Sequence, residues 1–336
     1  MCPQDGSLTS AYSALAAGHQ HRGELAPSLE IYAKCLRARE GAGDLAGTAR
    51  ACSDLSTVHF DMGEFNEAEE FARKALAIYE KIGDFVGIAR LLNNVGNVYF
   101  CRSELDAALD YYSRSLALFE KIGNKWSLAM SCTNIGMVHY QREEYGLAKD
   151  GYERGMALRA EIGDKPGLVI SYNALGDICR QYGDAPKAGL YYEKAISLGT
   201  EIGLLDFTIE GMLGLAEVRA EAGRLAEAAG LCARALSMAR GAGMTEEVAK
   251  GRAVEGSILL AEGRTAEAGE SFGAAIRAYE EMGLRASAAP VLYDWGSALL
   301  KRGDAAGREK LERAREIFEE AGLAPWAEKA RKLLEK

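Results

Sequence analysis

Apolar side chains recur every three or four positions along almost the whole chain. Between Phe85 and Cys101 the repeating positions are Leu92, Val95, Gly96 and Tyr99. Between Leu105 and Ile122 they are Leu105, Ala108, Leu109, Tyr112 and Leu116. This spacing puts the apolar groups on one side of a helix, whereas a half-buried strand would alternate. The helical segments stop at a glycine preceded by an apolar residue: Gly43, Gly83, Gly123, Gly163, Gly203, Gly243 and Gly283. Each step is 40 residues, and Gly322 follows after 39. A second series lies halfway between: Gly23, Gly63, Ser103, Glu143, Gly183, Gly223, Gly263 and Gly303. Glycine closes a helix because it enters the left-handed region without a Cβ clash.

The residue after each stop predicts the start of the next helix. Asp44, Asp84, Asn124 and Asp164 offer side-chain oxygens to the free N–H groups of a first turn. Glu24, Glu64, Glu104 and Asp184 place an acid where the helix dipole favours it. Pro27, Pro166, Pro186 and Pro325 fall in predicted first turns, where a missing N–H costs nothing, and Pro3 precedes the pattern. Pro290 sits deeper and is expected to shorten its helix, with Ser287 as the cap. The chain therefore divides into repeats at 7–43, 44–83, 84–123, 124–163, 164–203, 204–243, 244–283 and 284–324. An unstructured start (1–6) and a capping helix (325–336) flank them, the latter with Ala330, Leu333 and Leu334 on its apolar face.

Aligned on this period, the repeats show fixed columns. A small-residue column reads Ala16, Ser56, Gly96, Gly136, Gly176, Ala216, Gly256, Gly296. A second reads Ser28, Ala68, Ala108, Ala148, Ala188, Ala228, Ala268. Aromatic residues follow at Tyr32, Tyr112, Tyr152, Tyr192 and Phe272, then small ones at Cys35, Ala75, Ser115, Gly155, Ala195, Ala235 and Ala275. This order resembles the tetratricopeptide repeat, in a 40-residue variety with Gly-Asp in place of the usual closing proline. Val95-Gly96-Asn97-Val98-Tyr99 and Leu175-Gly176-Asp177 are similar to the repeats of the Leu-Gly-Asn spindle-orientation scaffolds and of bacterial signalling proteins. The resemblance implies an all-α, right-handed α-solenoid of about eight helix-turn-helix units plus a capping helix, without strands.

It also implies that the first helix of each pair lines a concave groove. There the expected partner-binding residues are Arg50, Phe60, Arg90, Asn93, Asn97, Phe100, Asn134, Tyr140, Asn173, Asp177 and Arg180. Amides can bond both backbone groups of an extended peptide, aromatic rings can hold apolar anchors, and arginines can meet carboxylates. Of the Lys, Asn and Arg clamp some relatives use for chaperone C-termini, only Asn97 matches a member.

Composition narrows the function. The net charge of −9 disfavours a nucleic-acid surface, and no apolar run approaches the ~20 residues of a membrane span. Seven cysteines without a close CxxC pair and no secretory leader point to reduced thiols and a cytoplasmic protein. His19, His59 and His139 share one column, so neighbouring rings stand one or two helix packing distances of about 8–10 Å apart, too far for joint metal coordination. They read as structural. No phosphate loop, zinc signature or nucleophile elbow occurs. No metal, cofactor or catalytic residue is expected, and stability should be insensitive to chelator and reductant.

The leading expectation is a non-catalytic protein-protein interaction scaffold that takes a peptide or helix of a partner in the groove. The alternative is a bacterial regulatory sensor whose superhelix responds to a peptide or small molecule. Such regulators usually carry an N-terminal effector domain, for which residues 1–6 leave no room.

Overall fold

The structure, a computed structural model, describes the backbone of residues 6–335 and the side chains of residues 9–335. The expected unstructured start lies, but for Gly6, outside the described residues; Gly6 begins the first helix. Seventeen helices and no strand occur among the described residues. In pairs they are α1 (Gly6–His21) and α2 (Leu25–Gly41), α3 (Leu45–Asp61) and α4 (Phe65–Ile82), α5 (Phe85–Cys101) and α6 (Leu105–Ile122), α7 (Lys125–Gln141) and α8 (Tyr145–Ile162), α9 (Lys165–Gln181) and α10 (Ala185–Ile202), α11 (Leu205–Glu221) and α12 (Leu225–Gly241), α13 (Thr245–Ala261) and α14 (Thr265–Glu281), and α15 (Arg285–Lys301) and α16 (Ala306–Glu320). A last helix, α17, spans Ala324–Leu334.

The chain forms two compact units, residues 1–158 and 159–336. In each, a helix packs chiefly on those before and after it, and first helices of successive pairs also touch. Those contacts are α3 with α5 and α5 with α7 in the first unit, and α9 with α11, α11 with α13 and α13 with α15 in the second. This nearest-neighbour stacking is the organisation of a helical solenoid. No described helix is long and apolar enough to cross a membrane.

Local chemistry explains the helix ends. Asp44, Asp84, Asn124 and Asp164 each accept a hydrogen bond from the backbone N–H three residues on, at 2.9–3.1 Å. Glu24, Glu64 and Glu104 make no such cap. Two of them, with Glu144, instead face the histidine column: His19, His59 and His139 each place Nδ1 2.5–2.6 Å from the glutamate five residues later. The histidines thus tie one helix end to the next helix start.

Two helix stops lack glycine, yet Ser103 and Glu143 adopt the same left-handed backbone, at φ 61° and 62°. Side chains with a Cβ are strained there. Ser103→Gly should therefore raise stability by about 0.5–1 kcal/mol, the relief of strain less the extra entropy of an unfolded glycine. Urea denaturation measures it, and an unchanged midpoint would refute the strain.

Pro290 does not behave as expected. Helix α15 begins at Arg285, ahead of both Ser287 and Pro290, and Leu284 rather than Ser287 occupies the cap position. Pro290 and Ala286, whose carbonyl loses its helical partner, are both exposed. Water can satisfy that carbonyl, so the proline is absorbed without ending the helix.

The small and aromatic columns interlock. A Cβ placed on Gly96 would lie 2.6 Å from the Tyr112 ring, on Gly176 2.7 Å from Tyr192, and on Gly256 2.9 Å from Phe272. The glycines exist so that a ring sixteen residues later can lie flat on the first helix. Where the ring is replaced by Ala72, the facing residue grows to Ser56, whose hydroxyl donates to the Ala68 carbonyl at 2.7 Å. At the C-terminal end, α17 seals the stack through buried Ala327 and Ala330, with Trp326 stacked on Phe318 at 5.7 Å between centroids.

Candidate functional site

In the first unit the first helices α3, α5 and α7, with Tyr79 of α4 and Phe119 of α6, line an open cavity of about 510 Å³. Its wall carries Arg50, Asp54 and Thr57 from α3, Arg90, Asn93 and Asn94 from α5, and Trp126 and Met130 from α7. Residues four apart on a helix share a face, so Arg50 with Asp54, Arg90 with Asn94, and Trp126 with Met130 point the same way. Arg50 and Arg90 are exposed.

The amides differ in what they have left to offer. Asn134 Nδ2 donates to Asn93 Oδ1 at 3.0 Å, which ties α7 to α5. Asn94 Nδ2 reaches Thr57 Oγ1 only at 3.5 Å, a marginal bond. Asn97 Oδ1 accepts the Tyr112 phenol at 2.7 Å, so this amide positions the interlocking ring of its own repeat. Phe60 packs on Phe65 at 5.9 Å between centroids and Tyr140 on Tyr145 at 5.6 Å, while Phe100 packs beside Val138 and Tyr112. All three are half-buried beside the start of the following helix.

The second unit departs from the expectation of open groove residues. Asn173 is 1% exposed, and its Nδ2 donates to the Phe207 carbonyl at 2.8 Å, so it joins α9 to α11 rather than facing a partner. Asp177 accepts the Tyr192 phenol at 2.5 Å, as Asn97 does for Tyr112. Arg180 is already neutralised, with Glu217 at 3.2 Å and Glu221 at 3.1 Å. Burial pushes Glu217 up to about 7 and Asp294 up to about 6, with Arg180 pulling both down. Glu210 is likewise pushed up to about 7 by burial.

Asp54 and Trp126, both in the cavity wall, are not among the expected groove residues. The signal was present: Asp54 follows Arg50 by one turn, and Trp126 precedes Met130 by one turn. Burial pushes the Asp54 carboxyl up to about 6, against the pull of Arg50, Arg39 and Arg90. Among the described residues no three His, Cys, Asp or Glu side chains converge as metal ligands would. Cys52, Cys101 and Cys232 are free thiols.

The pattern that defines the MalT-like TPR region matches residues 49–293, and that of the tetratricopeptide repeat matches residues 7–81. No curated protein matches the chain. Among solved structures, a Rap protein complexed with competence and sporulation factor is similar at TM-score 0.70 and 16% identity, over 99% of this chain and 90% of that one. The Rap conjugation gene regulator of the plasmid pLS20, in complex with the Phr* peptide, gives 0.66 and 18%, over 86% and 78%. A STAND protein with a tetratricopeptide repeat sensor, from Pyrococcus horikoshii, gives 0.69 and 17%, over 83% of this chain and 43% of that one. At these identities the likeness establishes the fold.

Proposed function

Since the chain belongs to the MalT-like family of tetratricopeptide-repeat regions, we propose that it is a non-catalytic regulatory scaffold that binds an extended peptide segment of a partner protein on α3, α5 and α7. The observation that carries this reading is the open cavity whose wall combines an uncommitted amide, Asn94, with cationic and aromatic side chains. Such a wall can hold a peptide by its backbone and select it by its side chains. Two structural neighbours were solved in complex with the Phr* peptide and with competence and sporulation factor, which supports a peptide as the ligand class.

The test begins with capture of partners by the full chain from its source organism and mapping of the bound segment. Hydrogen exchange should then show protection on α3, α5 and α7. Asn94→Ala should leave the fold intact and weaken the segment by about 1 kcal/mol, the net worth of one hydrogen bond. Protection confined to the second helices α4, α6 and α8 would sink the proposal. A second reading, in which the ligand biases the stack and releases an effector, is favoured by the likeness to a sensor-bearing STAND protein. It predicts that ligand also changes exchange in helices that it does not touch.

A further inference from the structure

Resting on that peptide-binding reading, we infer that the α3–α5–α7 cavity is a receptor for a carboxylate carried beside an apolar or aromatic side chain. Arg50 and Arg90 occupy equivalent positions on α3 and α5, and neither forms an ion pair among the described residues. Other arginines of the first helices are committed: Arg180 to Glu217 and Glu221, and Arg219 to Glu193. A third guanidinium approaches from α2. Arg39 is 7% exposed, donates through Nη1 to the Gly47 carbonyl at 2.9 Å, and keeps a buried Nε without a partner. Arg39, Arg50 and Arg90 together line an adjoining cavity of about 280 Å³, against Asp44 and Asp84 in the same wall.

Asp54 is the one carboxylate in the wall of the larger cavity, and it lies within the field of all three arginines. It is half-buried and forms no ion pair with them. The larger wall thus carries two guanidinium groups against one acid, a positive spot on a chain of net charge −9. A cleft of this kind draws anions by focusing the field. The planar fork of arginine suits a carboxylate, and the apolar side of the cavity, with Trp126 55% exposed beside Met130, suits a neighbouring ring or aliphatic chain. The resident Asp54 charge disfavours a doubly charged phosphate more than a singly charged carboxylate.

Synthetic peptides test this against the full chain. One set, amidated at the C-terminus, carries Glu-Leu and Glu-Phe pairs. A second has Gln for Glu, a third adds a free C-terminus to the Gln peptides, and a fourth carries phosphoserine for Glu. The Glu set should bind about tenfold tighter than its Gln twins, the strength of one charge-assisted pair. Arg50→Gln with Arg90→Gln should abolish that difference at an unchanged thermal midpoint, and Asp54→Asn should enlarge it. If the gain appears with the free C-terminus instead, the receptor stands and the carboxylate is that of a chain end. Equal binding of Glu and Gln peptides, or tighter phosphoserine peptides, overturns the inference while leaving peptide binding in place. Retention of no peptide from any set overturns the peptide-binding reading itself.

Discussion

Tyr192→Ala should cost about 3–5 kcal/mol of folding stability, the range for deleting a buried aromatic ring. The side chain is 1% exposed. Its ring lies against Gly176 and Gly214, where an added Cβ would come within 2.7 and 2.5 Å. Glycines cannot fill the space the ring leaves, so the site collapses poorly and the loss falls high in that range. The phenol also donates to Asp177 at 2.5 Å. Tyr192→Phe keeps the packing and removes only that bond, so it should cost less, about 1–3 kcal/mol for a buried acceptor left without its donor. Urea denaturation of both variants checks the order. A Tyr192→Ala loss below about 1 kcal/mol would show that the interlock is not what holds this repeat together.

The second large effect concerns Arg180→Met. Removing one member of a buried pair costs about 3–5 kcal/mol. Arg180 and Glu217 keep 22% and 32% exposure, so solvent reduces the expected loss to about 2–3 kcal/mol at pH 8. The loss depends on pH. Burial holds Glu217 at about 7 in the folded protein against an ordinary 4.5. The folded state therefore binds the extra proton between those values, and stability falls as pH rises through that window. Arg180 limits the fall by favouring the ionised form. Without it the Glu217 value moves higher still, and the deficit of the variant should grow between pH 5.5 and pH 8. Thermal unfolding at the two pH values measures this, and equal deficits at both would show that Glu217 and Arg180 are not coupled.

The fold was legible because helix stops, caps and small-aromatic columns all repeat at one period, and each column has a local cause. Gly96 facing Tyr112 and Asp84 capping at Gly87 are contacts within a repeat or across one turn. The candidate site was less legible because a column fixes the face a residue occupies but not the side chains arriving from the next repeat. Asn173 and Arg180 share the face of Asn93 and Arg90, yet Asn173 is enclosed by α11, and Arg180 is held by Glu217 and Glu221, 37 and 41 residues later. The same offsets from Arg50 reach Gly87 and Leu91, and from Arg90 reach Ser127 and Ser131. None of these is acidic, so the free arginines of the first unit are readable once the offsets between neighbouring repeats are known. Pro290 misled because the usual penalty assumes a lost bond in a dry interior, whereas its helix start faces water.

The pairing of a glycine with a ring sixteen residues later also bears on how such a chain can change length. Both partners of that contact belong to one 40-residue segment, as do the cap and the loop that set its helices. A duplicated or excised segment therefore carries its own complementarity with it and demands only that the next small-residue surface accept it. Energetic terms of this kind sum along the stack rather than across a shared core. Recombination at the Gly-Asp boundaries can thus lengthen or shorten the protein without rewriting the rest, and selection can act on the face of a single segment.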